Sequence, residues 1–140
     1  NTSISMGFYK SSLDILIPEI QEHPRDNNYR RKAALAYAGL GNKVKALEEI
    51  EEAMRLSLDN NMLTSDTMID LARIFTMTGD YGNAFETIKY LLDNPSMLSA
   101  KVLQSDPVWD PLKQFSEYKT LVKQYSKKKY SGTDKSEMLN

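Results

Sequence analysis

The sequence predicts an all-α fold: an array of helical hairpins closed by a C-terminal capping helix. The main observation is the run over residues 33–53, which indicates two helices joined by a tight turn at Gly41. Because residues three and four apart share a helix face, the second helix has one apolar stripe, formed by Ala46, Ile50 and Ala53. A run with the same spacing follows, with its turn at Gly79.

The first helix is predicted over residues 5–22, where apolar residues recur at the spacing of one helix face. That face comprises Leu13, Leu16, Ile17 and Ile20. Pro18 is expected to kink or interrupt the helix, because proline lacks the backbone N–H. Pro24 should end it, because the residue before a proline avoids the helical region.

Two hairpins come next, and their four predicted helices span 28–40, 43–57, 65–78 and 80–92. A loop over 58–64, rich in turn residues, separates the two hairpins. Asn42 and Asp80 are expected to cap the second helix of each hairpin. Ala46 and Ala84 are expected where helices nearly touch.

The C-terminal segment is predicted to fold back over the last hairpin. A short helix capped by Ser99, a compact turn over 106–112 and a final helix from Ser116 supply large apolar residues, and Trp109 should be buried among them. From Lys127 onward the composition is typical of disorder. The predicted organisation is a domain over 1–126 and a disordered tail over 127–140. The domain divides into a partial repeat helix over 1–24, repeats over 27–60 and 65–96, and a cap over 98–126.

Composition excludes several classes of protein. The 140 residues include no cysteine, carry a net charge of −1 and are 41% apolar, which is typical of one globular domain. Disulfides and thiol chemistry are excluded. No apolar run is long enough to span a membrane, and we expect a cytoplasmic location. The first residue is Asn1 rather than Met, which fits a fragment of a longer protein.

The hairpins resemble tetratricopeptide repeats, helix–turn–helix units of 34 residues. Six positions of that pattern are filled in register by Ala34, Tyr37, Gly41, Ala46, Ile50 and Ala53. The second hairpin fills the same positions with Ala72, Phe75, Gly79, Ala84, Ile88 and Leu91. The resemblance implies a superhelical array that binds proteins and has no catalytic activity.

The second half is similar to the C-terminal repeat region of bacterial multidomain signalling proteins. Its most specific element is the run Asp106-Pro-Val-Trp-Asp-Pro-Leu112. In those proteins the region follows an adenylate/guanylate cyclase, Ser/Thr kinase or winged-helix domain. The resemblance therefore implies a regulatory tail whose catalytic domain, if there is one, lies outside this chain.

The resemblance also implies a binding surface, because the first helix of each repeat lines a concave groove. The protein-binding residues predicted in this way are Asn28, Arg31, Lys32, Leu35, Asp66, Ile69, Asp70, Arg73 and Met77. Arg31 and Arg73 are expected to pair with acidic groups of a protein or peptide, and to be replaceable without loss of the fold. The Lys/Asn set with which chaperone-binding repeats clamp a peptide carboxylate is missing.

No catalytic, metal or cofactor site is predicted. His23 is the only histidine and lacks an evident catalytic partner. Asp106 and Asp110 are better explained as turn and cap residues than as a cation site. Nucleic acid is an unlikely partner, and the lysine-rich C-terminal end is the feature that keeps it open. Self-association as a homodimer stays open as the alternative to partner binding.

Overall fold

The structure, a computed structural model, describes residues 2–59, 65–94 and 96–139. The described residues are all-α, as predicted, with no strand among them. The elements in chain order are α1 (Thr2–Glu22), α2 (Asn27–Gly39), α3 (Lys43–Asp59), α4 (Ser65–Met77), α5 (Tyr81–Asp93), α6 (Ala100–Ser105), a 3-10 helix (Pro107–Gln114) and α7 (Ser116–Leu139). Most of the loop predicted over 58–64 lies outside the described residues.

Two glycines make the turns of the hairpins α2–α3 and α4–α5. Gly41 has φ +79° and Gly79 has φ +80°, the left-handed conformation that ends a helix and favours glycine. The N–H after each glycine donates back into the preceding helix, from Asn42 to Tyr37 O at 2.9 Å and from Asp80 to Phe75 O at 2.8 Å. The predicted turn positions are therefore confirmed.

Helix α1 continues through Pro18, so the expected interruption is not observed. Pro18 lies on the exposed side of α1, where water can satisfy the carbonyl that loses its N–H donor. The buried side of α1 packs on α2 through Leu13. The Tyr9 ring lies directly over Gly39, and a Cβ at position 39 would come within 2.3 Å of it. The glycine thus permits close contact between these helices.

Alanines fill the space between α2 and α3. Ala46 and Ala53 are fully buried, and together with Ile50 they pack against α2 and against Ile74 of α4. A small side chain lets two helix backbones approach closely while leaving no cavity. Ala84 is likewise fully buried in the second hairpin, as the sequence predicted.

The C-terminal segment packs against α4 and α5 around Trp109, which is 0% exposed. Its predicted burial is therefore confirmed. Ser99 caps α6 by accepting the Val102 N–H at 3.2 Å. The Tyr118 hydroxyl donates to Leu103 O at 3.1 Å, and the Tyr125 hydroxyl donates to the carboxylate of Asp93 on α5. The first two contacts lie within the C-terminal segment, and the bond between Tyr125 and Asp93 joins that segment to the second hairpin.

Helix α7 extends to Leu139, whereas the sequence predicts a disordered tail over 127–140. No proline follows Pro111 to interrupt the helix that Ser116 begins, and the lysines over 127–129 are good helix formers. Residues 131–134 are poor helix formers, so propensity does not explain the helix there.

Candidate functional site

The principal cavity is a groove where α1, α2 and α4 meet, with a volume of ≈ 570 Å³. Its α1 wall is formed by Phe8, Tyr9, Ser12, Ile15 and Leu16. The opposite wall is formed by Lys32, Leu35, Ala36, Arg73, Met77 and, from the 3-10 helix, Val108. We call this cavity the groove. Its volume is within the range of sites that bind ligands.

The orientation of α1 explains why the groove is apolar. One side of α1 is used for packing on α2, and Phe8 and Ile15 lie on a different side, at the rim of the groove. Each of these two side chains is 68% exposed. Large apolar side chains that no other described residue covers mark a surface suited to a partner.

Four predicted binding residues line the groove: Lys32, Leu35, Arg73 and Met77. Leu35 and Met77 are half-buried, and Lys32 is exposed. The α1 wall and Val108 were not among the predicted site residues. Only the excess of apolar residues on α1 beyond those needed for one buried face could have indicated that wall.

A second cavity of ≈ 280 Å³ lies next to the groove, and Arg73 lines both. The predicted residues Arg31, Asp66 and Ile69 line this second cavity, together with Trp109. Ile69 is only 6% exposed, because it belongs to the cluster around Trp109. Most of its surface is therefore already used by the fold.

An ion-pair network occupies the wall between the two cavities. Asp70, which is 2% exposed, accepts a hydrogen bond from Arg31 Nε at 2.7 Å and another from Arg73 Nη1 at 2.9 Å. Arg73 Nη2 lies 3.8 Å from a carboxylate oxygen of Asp106, just before the 3-10 helix. Arg31 Nη1 also donates to Asn28 Oδ1 at 3.5 Å. The network joins α2, α4 and the C-terminal segment.

This network corrects the expectation that Arg31 and Arg73 can be reversed in charge without loss of the fold. Both arginines neutralise Asp70, and a buried carboxylate without a counter-charge is strongly destabilising. Replacing both arginines with glutamate would place three carboxylates together at this point. Asp70 itself is buried and paired rather than available to a partner. Of the remaining predicted residues, Asn28 and Asp66 are exposed at the start of α2 and α4.

One cluster at the end of α1 has atoms that could bind a metal ion. Glu19, Glu22 and His23 place one ligand atom each within 4.8 Å of one another, and the His23 ring stacks on Tyr29. The carboxylate of Glu19 raises the pKa of the Tyr29 hydroxyl. All three groups come from a single exposed turn, and a structural zinc site takes four ligands. We therefore assign no metal site to this cluster.

Asp106 is a cap residue, as the sequence predicts, whereas Asp110 lies within the 3-10 helix and forms an ion pair. Asp106 accepts the Val108 N–H at 3.1 Å and so caps the 3-10 helix. Asp110 pairs with Lys113 at 2.8 Å, and the hydrogen bond to Asp110, together with its charge, raises the pKa of that lysine.

Comparisons of the chain with protein families, with curated proteins and with solved structures find no significant match. The site is therefore interpreted from its own geometry. Within residues 2–59, 65–94 and 96–139, no helix is both long enough and apolar enough to cross a membrane. The groove is thus an apolar cavity with two cationic side chains, Lys32 and Arg73, on its wall.

Proposed function

We propose that the chain is a protein–protein interaction module that binds a segment of another protein in the groove. The observation that supports this proposal is the groove itself: apolar side chains from three helices and the C-terminal segment converge on one preformed cavity. Preformed sites bind more tightly, because little conformational entropy is lost on binding.

The proposal includes the tetratricopeptide-like superhelix suggested by the sequence resemblance. Packing of α2 on α3 and on α4 is compatible with such an array. It also includes the regulatory setting that the resemblance implies, a cytoplasmic bacterial signalling protein with any catalytic domain outside this chain. Neither catalysis nor a cofactor is part of the proposal.

Self-association is the second candidate. Ile4, Phe8 and Ile15 share one stripe of α1, and each is at least 68% exposed. An exposed apolar stripe of this kind can pair two copies of a chain. The mass of the purified chain in solution distinguishes this candidate from a monomer with a free groove.

Selection from a random-peptide display library tests the proposed function. Peptides enriched on the wild-type chain are compared with the double variant Phe8→Gln/Ile15→Gln, which removes apolar surface from the rim without adding charge. The matched control is Val44→Gln/Leu58→Gln, since these side chains on α3 are 69% and 60% exposed and lie outside the groove.

We expect binding to be lost in the rim variant and retained in the control, with the same far-UV circular dichroism in both. If no enriched peptide distinguishes the rim variant from the control, the groove is not the binding site and the proposed function is wrong.

A further inference from the structure

The charge on the groove wall indicates what kind of segment fits it. Among the residues that line the groove, the charged ones are Lys32 and Arg73, and none is acidic. We propose that the groove selects an acidic apolar segment of a partner protein, an inference that rests on the proposed function. In such a segment an Asp or Glu carboxylate meets Lys32 and Arg73 while neighbouring large apolar side chains contact the apolar walls.

The ammonium group of Lys32 makes no polar contact within the described structure. The side chain is exposed, and its ammonium group has no ion pair or hydrogen bond to any described residue. Arg30, two residues earlier on the same helix, differs in this respect, because it binds Glu49 at 3.1 Å. The charge of Lys32 is therefore available to a ligand, and a bound apolar segment would exclude water from it and strengthen the pairing.

Arg73 has donors to spare, although part of its guanidinium is already bound. Nη1 donates to Asp70, whereas Nη2 lies 3.8 Å from Asp106, beyond hydrogen-bond distance. The side chain is 34% exposed. Asp70 thus fixes the orientation of Arg73 and leaves Nη2 able to donate to a carboxylate, and hydrogen bonds of this charged type are the strong ones.

The apolar walls define the rest of the ligand. Phe8 and Ile15 on one side and Leu35 and Met77 on the other can contact large aliphatic or aromatic side chains. Methionine adapts to partners of different shape. A strongly basic segment is disfavoured, because no residue lining the groove is acidic and the nearby carboxylates of Asp70 and Asp106 already face Arg73.

The test uses synthetic versions of the peptides selected on the groove. For the best binder, the carboxylate-bearing residue is kept, replaced with Gln, or replaced with Lys, and the three dissociation constants are measured by fluorescence anisotropy. The same peptides are measured on Lys32→Glu and on the control Lys89→Glu. Lys89 is likewise exposed and has no described ion-pair partner, but it lies on α5 away from the groove.

We expect the selected peptides to combine large apolar residues with Asp or Glu. The acidic peptide should bind about tenfold more weakly to Lys32→Glu than to wild type, a difference of about 1.4 kcal/mol. The Lys version should bind Lys32→Glu better than wild type, and Lys89→Glu should behave like wild type. Higher salt should weaken binding of the acidic peptide, because salt screens exposed charge pairs.

The outcomes separate this inference from the proposed function. If peptides bind in the groove but the Glu, Gln and Lys versions bind equally, the groove is an interaction site and the charge selection is wrong. If no peptide depends on the groove, both are wrong. If the chain is a dimer that Phe8→Gln/Ile15→Gln converts to a monomer, a second copy occupies the groove and the inference is overturned.

Discussion

The buried carboxylate of Asp70 makes a specific prediction about stability. Replacing it with asparagine keeps the size of the side chain but removes the charge that faces Arg31 and Arg73. Two charge-assisted hydrogen bonds of 2.7 and 2.9 Å are lost or weakened. Hydrogen bonds to charged groups contribute about 1.5–3 kcal/mol each, so the largest possible loss is about 3–6 kcal/mol.

The expected loss is smaller for two reasons. The asparagine oxygen can still accept one hydrogen bond, and the side chains of Arg31 and Arg73 are 23% and 34% exposed, so water partly solvates them. We therefore expect Asp70→Asn to lower the free energy of unfolding by about 2–4 kcal/mol, less than the figure for breaking a fully buried ion pair.

Urea unfolding followed by circular dichroism measures this effect. With a slope of about 2 kcal/mol per molar urea, typical of a small domain, the midpoint should fall by about 1–2 M. The matched control is Asp14→Asn, because Asp14 is an exposed acid on α1, and such changes usually alter stability by less than about 0.5 kcal/mol. If the two variants have the same midpoint, the network does not stabilise the fold and the reasoning is refuted.

Two further predictions concern the C-terminal segment. The emission of Trp109, which is fully buried, should be blue-shifted in the native state. In urea it should move to the red together with the loss of helical circular dichroism. A separate early transition of the emission would contradict joint folding with the hairpins. Burial, followed by the hydrogen bond and charge of Asp93, raises the pKa of Tyr125 to about 12. Its pKa in an unfolded chain is about 10. The tyrosine therefore stabilises the fold below pH ~10, and this contribution disappears as the pH rises to about 12. Between these pH values the free energy of unfolding should therefore fall less in Tyr125→Phe than in wild type. The control Tyr90→Phe, at an exposed position on α5, should follow wild type. Equal loss in all three chains would show that Tyr125 does not contribute.

The helices and their turns could be predicted from the sequence because their causes are local. Apolar spacing fixes which side of α3 is buried, and Gly41 and Gly79 supply the two left-handed residues that the turns need. Pro18 is the exception: the local sequence predicts that it kinks or interrupts α1, but the helix continues through it at an exposed position of the folded protein.

The groove could be predicted only in part. Lys32, Leu35, Arg73 and Met77 were identified because repeat positions place them on the first helix of each hairpin. The α1 wall was missed, because no local sequence pattern predicts which exposed face of a helix will lie beside a helix that is distant in the sequence. Val108 was missed for the same reason, since it reaches the groove only when the C-terminal segment folds back.

The pairing of Arg31 with Asp70 could not be predicted from local sequence, whereas Asp70 and Arg73 are three residues apart on α4, a spacing that favours an ion pair. Arg31 and Asp70 are 39 residues apart in the chain, and each is also a plausible exposed residue of its own helix. Sequence position alone assigned all three to a ligand. In the folded protein Asp70 holds the two arginines instead, and the wall of the groove is built partly from residues that stabilise the fold.

Stability and binding are therefore linked at Arg73 but separable at Lys32. A change at Arg73 removes a possible ligand contact and also weakens the neutralisation of Asp70, so lost binding there has two explanations. Lys32 lines the same groove and makes no described ion pair. Because reversing its charge leaves the network intact, a change in peptide preference in that variant reports on the groove's charge alone.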